Sequence, residues 1–96
     1  MLNELIQNVI DSCMNMDKQK IFSVEVKKKD AKLYYDYIKD PIHMGEMKNK
    51  TKRAGDAYKS SATFLADMDL MKRNAEFFNG LNSEIAEQGR KLLAHA

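Results

Sequence analysis

The chain has one cysteine, one proline and no tryptophan among its 96 residues. A lone Cys13 excludes an internal disulfide and gives no support to a secreted, disulfide-stapled scaffold. Its position on an apolar helical stripe assigns it to the core instead. No apolar run approaches the ~18 residues that a membrane span requires. Glu4 stands in the first turn with no basic stretch before it, which does not fit a cleavable signal. An excess of one charge is also missing. The 16 basic and 14 acidic residues leave +2, a balance that does not by itself imply nucleic-acid binding. Catalytic and metal-binding signatures are absent too. His43 and His95 lie far apart, no C-x2-C or H-E-x-x-H spacing occurs, and the four glycines form no phosphate loop. The expectation is a soluble intracellular domain, not an enzyme, with neither metal nor cofactor and no membrane contact.

What is present suits a small packed domain spanning residues 1–96. Apolar residues make up 44% and charged residues 31%, enough for one core inside a wet surface. A chain this short buries only somewhat over ~60% of its unfolded surface, so the core has to be used economically. Seven methionines point to an interior that fills irregular gaps with unbranched thioethers.

Residues 2–16 read as a helix, with Leu2, Leu5, Ile6, Val9, Ile10, Cys13 and Met14 on one face. Asp17-Lys18-Gln19-Lys20 breaks that pattern. A long connection without helical period then runs to about residue 43. Val24-Glu25-Val26 resembles a short strand, but three successive lysines follow it and no partner strand is evident. The connection carries Phe22, Val24, Val26, Leu33, Tyr34, Tyr35, Tyr37 and Ile38, too much apolar material for a solvated linker. It is expected to pack and to carry function. Pro41 closes it. A second helix is expected over 43–53, with Met44, Met47 and Thr51 inward and Gly55 as a left-handed cap. Ser60 or Ser61 is suited to cap a third helix running to about residue 78. Phe64, Met68, Met71, Ala75 and Phe78 form its stripe, widened by Leu65. Asn82 or Ser83 caps a last helix that turns Ile85, Ala86, Gly89, Leu92 and Leu93 inward. Four helices with one long crossover predict an all-α four-helix bundle.

Two stretches carry the functional signal: Tyr34-Tyr35-Asp36-Tyr37-Ile38-Lys39-Asp40-Pro41-Ile42, and Arg73-Asn74-Ala75-Glu76-Phe77-Phe78-Asn79 at the end of the third long helix. The second places an amide beside aromatic rings where the helix stops. There it can point into a pocket rather than pair with its own backbone, or it can simply cap the helix. In this order and at this separation the two stretches resemble the bromodomain family, and the likeness runs through nearly the whole chain. The resemblance implies a left-handed four-helix bundle with a long loop between its first and second long helices, and a pocket for acetylated lysine. It implies that Asn79 contacts the acetyl amide and that Tyr34, seven residues before Pro41, reaches the ligand through a water. Phe22 and Val26, four residues apart, would line the pocket with Phe78, and Ile85 would guard its entrance.

The chemistry fits those residue types. A neutral amide on an apolar stem suits a narrow slot with few polar groups, and an Asn side chain offers it both a donor and an acceptor. An unmodified lysine would bring an ammonium whose desolvation costs several kcal/mol. Three departures from the family pattern stand out. Lys20-Ile21-Phe22 lacks the Trp-Pro of several members, Lys27-Lys28-Lys29-Asp30-Ala31-Lys32 replaces a more hydrophobic loop, and His43 occupies a position usually acidic. The family implies acetylated histone tails or other acetylated nuclear proteins as partners, a nuclear location and a role in chromatin or transcription. Two rivals remain open: a protein-docking module of the same shape that ignores acetyl-lysine, and a nucleic-acid contact through Lys27, Lys28 and Lys29.

Overall fold

A computed structural model describes residues 1–26, 33–53, 55 and 57–96. Five helices occur among them: α1 (Leu2–Met16), α2 (Tyr34–Tyr37), α3 (Met44–Lys52), α4 (Ser61–Asn79) and α5 (Glu84–His95). No strand forms among the described residues, and Val24-Glu25-Val26 is irregular. The four longer helices pack as the bundle that the apolar periodicity implies, α4 most extensively against α5 and α1 against α3.

In α1 the buried line is narrower than the apolar face. Ile6, Ile10 and Cys13 are buried, whereas Leu5, expected to face inward, is 56% exposed. Leu2, Val9 and Met14 pack at the margins of the core. The core joins these to Phe22, Met44, Met47, Tyr58, Phe64, Met68, Met71, Ala75 and Leu92. Removing each large apolar side chain from water stabilises the fold by about 1.5–3 kcal/mol. Four of the seven methionines are fully or almost fully buried, so the interior does rely on flexible thioethers. Leu65, like Leu5, lies outside the core and is 39% exposed.

The long connection contains a helix that periodicity could not reveal. α2 is one turn of Tyr-Tyr-Asp-Tyr, too short to show a period, and it is held by ring contacts. Tyr34 meets Tyr35 edge-on at 5.4 Å and Phe78 of α4 at 4.9 Å between centroids.

The helix ends follow local chemistry. Ser60 opens α4 with a reciprocal capping box. Its Oγ accepts from the Thr63 N–H at 3.2 Å, and Thr63 Oγ1 accepts from the Ser60 N–H at 3.4 Å. Ser83 opens α5, its Oγ accepting from the Ala86 N–H at 3.1 Å. Gly55 does not cap α3. That helix ends at Arg53 in extended backbone, and the left-handed glycine is Gly80 (φ 97°), which terminates α4 after Asn79.

Three further contacts, all made by Tyr58, brace the bundle. The Asn3 carboxamide pairs with both backbone groups of Tyr58, donating to its carbonyl at 3.0 Å and accepting from its N–H at 2.9 Å. The Tyr58 hydroxyl donates to Asp67 at 2.6 Å, and Lys50 lies 4.7 Å from the ring centre. Among the described residues every buried side-chain polar atom has a partner.

Candidate functional site

The segment after α1 is positioned by one buried acid. Asp17 lies on the line of Ile6, Ile10 and Cys13 and is 1% exposed. It reaches past the helix end to gather the next backbone turn. Its Oδ1 accepts from the Ile21 N–H at 3.0 Å. Its Oδ2 accepts from the N–H groups of Phe22 and Ser23 and from the Ser23 hydroxyl, all at 2.8 Å. The carbonyls of the same turn face α3, where Phe22 O accepts from the Met44 N–H at 2.7 Å and Ser23 O from the Gly45 N–H at 3.0 Å. Two otherwise orphaned donors at the start of α3 are thereby satisfied. Gly45 permits this approach, because a Cβ there would stand 2.8 Å from Ser23 O. The turn is clamped on both sides, and Phe22 is fixed against the core.

The far side of the connection is tied down in the same way. The Tyr35 hydroxyl donates to the carbonyl of Val26. Asn74 of α4 donates from Nδ2 to the Asp40 carbonyl at 2.9 Å. Between these anchors lies a cavity of about 500 Å³. It is bounded by the Ile21–Val26 segment, α2, the start of α3, the C-terminal half of α4 and the start of α5.

All six residues singled out from the sequence line this one cavity: Phe22, Val26, Tyr34, Phe78, Asn79 and Ile85. Phe22 is buried, Tyr34, Val26, Phe78 and Ile85 are half-buried, and Asn79 is exposed at the rim. Burial, and secondarily the neighbouring Tyr35, raises the pKa of Tyr34 above the ordinary tyrosine value, so its hydroxyl is a stable neutral donor and acceptor. One expectation needs correcting. The Asn79 amide does pair with its own helix, Nδ2 donating to the Ala75 carbonyl at 3.2 Å. The cause is the helix end: the i−4 carbonyl lies within reach, and Gly80 already serves as the cap. The second N–H and Oδ1 of Asn79 have no partner among the described residues.

The sequence reading missed several wall residues, among them Ile21, Ile42, His43, Glu46 and Met71. It also missed Asp17 and Asn74, which hold the walls in place. Asp17 left a readable trace, since it continues the spacing of Ile6, Ile10 and Cys13, so an acid falls on a buried line. Lys27, Lys28 and Lys29 lie outside the described residues. Among the described residues no three His, Cys, Asp or Glu side chains are grouped to hold a metal. None of the helices is long and apolar enough to cross a membrane.

The five helices among the described residues, a long crossover and a semi-enclosed cavity with an amide at its rim define a class already met in other proteins. Residues 6–91 match the bromodomain family, and the chain belongs to it. Among curated proteins it resembles transcription initiation factor TFIID subunit 1 of Caenorhabditis elegans, with 28% identity over 92 residues. That match covers 96% of this chain but only 5% of the far longer relative. Among solved structures, the bromodomain of human BAZ1A superposes with a TM-score of 0.79 at 28% identity, covering 92% of this chain and 84% of that one. The crystal structure of CpBRD2 from Cryptosporidium gives a TM-score of 0.87 at 26% identity, covering 98% and 86% respectively.

Proposed function

We propose that this chain is an acetyl-lysine reader that binds acetylated histone tails or other acetylated nuclear proteins in chromatin or transcription. The observation that carries the reading is the Asn79 amide at the rim of a mostly apolar cavity walled by Phe22, Val26, Tyr34, Phe78 and Ile85. The apolar stem of the ligand would lie between Val26, Ile85 and the aromatic rings. Its carbonyl would accept the second Asn79 N–H, and its amide N–H would face Oδ1. The bond to Ala75 supports this role, because it holds the carboxamide plane in one orientation before the ligand arrives. Tyr34 would hold a water between its hydroxyl and the acetyl carbonyl. Each such neutral hydrogen bond is worth only ~0.5–1.5 kcal/mol net, so affinity for one mark should be modest. Selectivity would come from excluding the ammonium of unmodified lysine. Glu46 on the cavity wall is taken by Arg53 at 3.1 Å, and Glu25 is exposed, so neither offers a buried counter-ion. The domain would act by recognition without turnover, and a TFIID subunit among its relatives supports a place in transcription.

Isothermal calorimetry with acetylated and unmodified forms of one histone-tail peptide tests the reading. The acetylated form should bind, the unmodified form should not, and Asn79→Ala should abolish binding while the melting temperature stays nearly unchanged. The Asn79–Ala75 bond also suits a second reading, in which the fold docks a protein surface and ignores the acetyl group. Equal binding of both peptide forms, or full affinity in Asn79→Ala, would establish that reading over the first.

A further inference from the structure

A second stripe on α4 is left open by the bundle. Leu70, Arg73, Asn74 and Phe77 follow at i, i+3, i+4 and i+7, to one side of the buried line of Met68, Met71 and Ala75. They form one wall of a surface groove whose other wall is Tyr37, Ile38 and Lys39. The hydrogen bond from Asn74 to the Asp40 carbonyl fixes the distance between the walls. Two aromatic rings stand in this groove with large exposed areas, Phe77 at 68% and Tyr37 at 56%. Exposed rings are costly to keep in water, and two of them over one groove mark a contact surface. Ile38 (3% exposed) and the half-buried Leu70 give it an aliphatic floor.

The charged side chains that line the groove, Lys39 and Arg73, are both basic. No carboxylate lines it among the described residues. Arg73 pairs through its Nε with Asp69 at 2.8 Å, and its side chain is still 63% exposed. Lys39 donates to a backbone carbonyl, that of Asp36, at 3.1 Å, and to no carboxylate among the described residues. A partner that fits must therefore supply an apolar side chain for the floor and rings, with carboxylates to either side for Lys39 and Arg73.

We propose that this groove docks an acidic segment of a partner protein through one bulky apolar side chain set between Phe77 and Tyr37, flanked by Asp or Glu. A single-stranded nucleic acid is the less fitting occupant. It needs a cationic track along several phosphates, whereas this groove has two cations around an aliphatic floor. The groove does not depend on the acetyl-lysine cavity.

The probe is a short peptide of Glu and Asp around a central Leu-Phe pair, titrated into ¹⁵N-labelled protein. Shifts confined to Tyr37, Ile38, Leu70 and Phe77, with affinity falling as salt rises, are expected. Phe77→Ala and Arg73→Gln should each weaken binding by about tenfold. Both residues are exposed, and melting curves of the variants will register any loss of fold. Three results would overturn the proposal: equal binding of the same peptide with Lys replacing its acids, undiminished binding by both folded variants, or an oligothymidylate displacing the peptide from these residues.

Discussion

Replacing Asp17 by Ala tests whether one acid organises the cavity wall. The change removes the acceptor for three backbone N–H groups and the Ser23 hydroxyl. The Ile21 amide is only partly buried, so water can take over its bond. The Phe22 and Ser23 amides are in buried bonds and cannot be rescued without moving the turn. A buried donor left unpaired costs ~1–3 kcal/mol, and two of them, partly relieved by relaxation, come to about 2–5 kcal/mol. A domain of 96 residues has only ~5–14 kcal/mol in total. At about 4–8 °C per kcal/mol, the melting temperature should fall by at least ~8 °C. Asp17→Asn keeps one carbonyl oxygen but sets an NH2 against one of the donors, so it should lose roughly half as much. Far-UV circular dichroism melts give the stability. Amide exchange at Phe22 and Ser23 reports whether the turn itself has opened. An Asp17→Ala protein melting within a few degrees of the parent, with those two amides still protected, would refute the reasoning.

Three other perturbations follow from the same structure. Gly45→Ala puts a Cβ 2.8 Å from the backbone carbonyl of Ser23, which cannot swing aside. The overlap, ~1–3 kcal/mol, should outweigh the ~1 kcal/mol helix-propensity gain, and urea unfolding showing any stabilisation would contradict this. The phenols of Tyr34 and Tyr58 both have pKa values raised above the ordinary 10.0, chiefly by burial, and for Tyr58 also by the bond to Asp67. The folded state thus holds these protons more tightly than the unfolded chain. Their contribution to stability should be complete below pH 10 and decline as pH rises through the folded values, and Tyr58→Phe should make that decline shallower in melts across the alkaline range. Cys13 is 0% exposed, and burial raises its thiol above the usual range. A thiol reagent should modify it slowly in the native protein and rapidly in urea, whereas a native rate matching a free thiol would overturn its core placement.

Much of the bundle was legible because its long helices are amphipathic. Spacing alone located α1, α4 and α5, and the serines before α4 and α5 do cap them. What spacing could not separate was a core position from a margin. Leu5 and Leu65 have the right phase but sit at the edge of their stripes, beyond the reach of a neighbouring helix. α2 escaped because one turn has no period, and its stability resides in Phe78, more than forty residues on. Gly55 looked like the cap since glycine accepts left-handed backbone, but which glycine needs that conformation is decided by the turn geometry, here at Gly80. The candidate site residues converge on one cavity for a reason of topology. The motif ending at Ile42 and the motif ending at Asn79 are joined by the Asn74–Asp40 bond, a contact invisible to any local window.

The Asn3 carboxamide gives the outermost turn of α1 a consequence for where the folding unit can be cut. The family match starts at residue 6, three positions after it. A protein trimmed to that limit would release both main-chain groups of Tyr58, whose hydroxyl in turn orders Asp67 on α4. A fragment that keeps Asn3 is therefore expected to melt higher than one cut at residue 6, since a residue with no part in the signature holds the opposite corner closed.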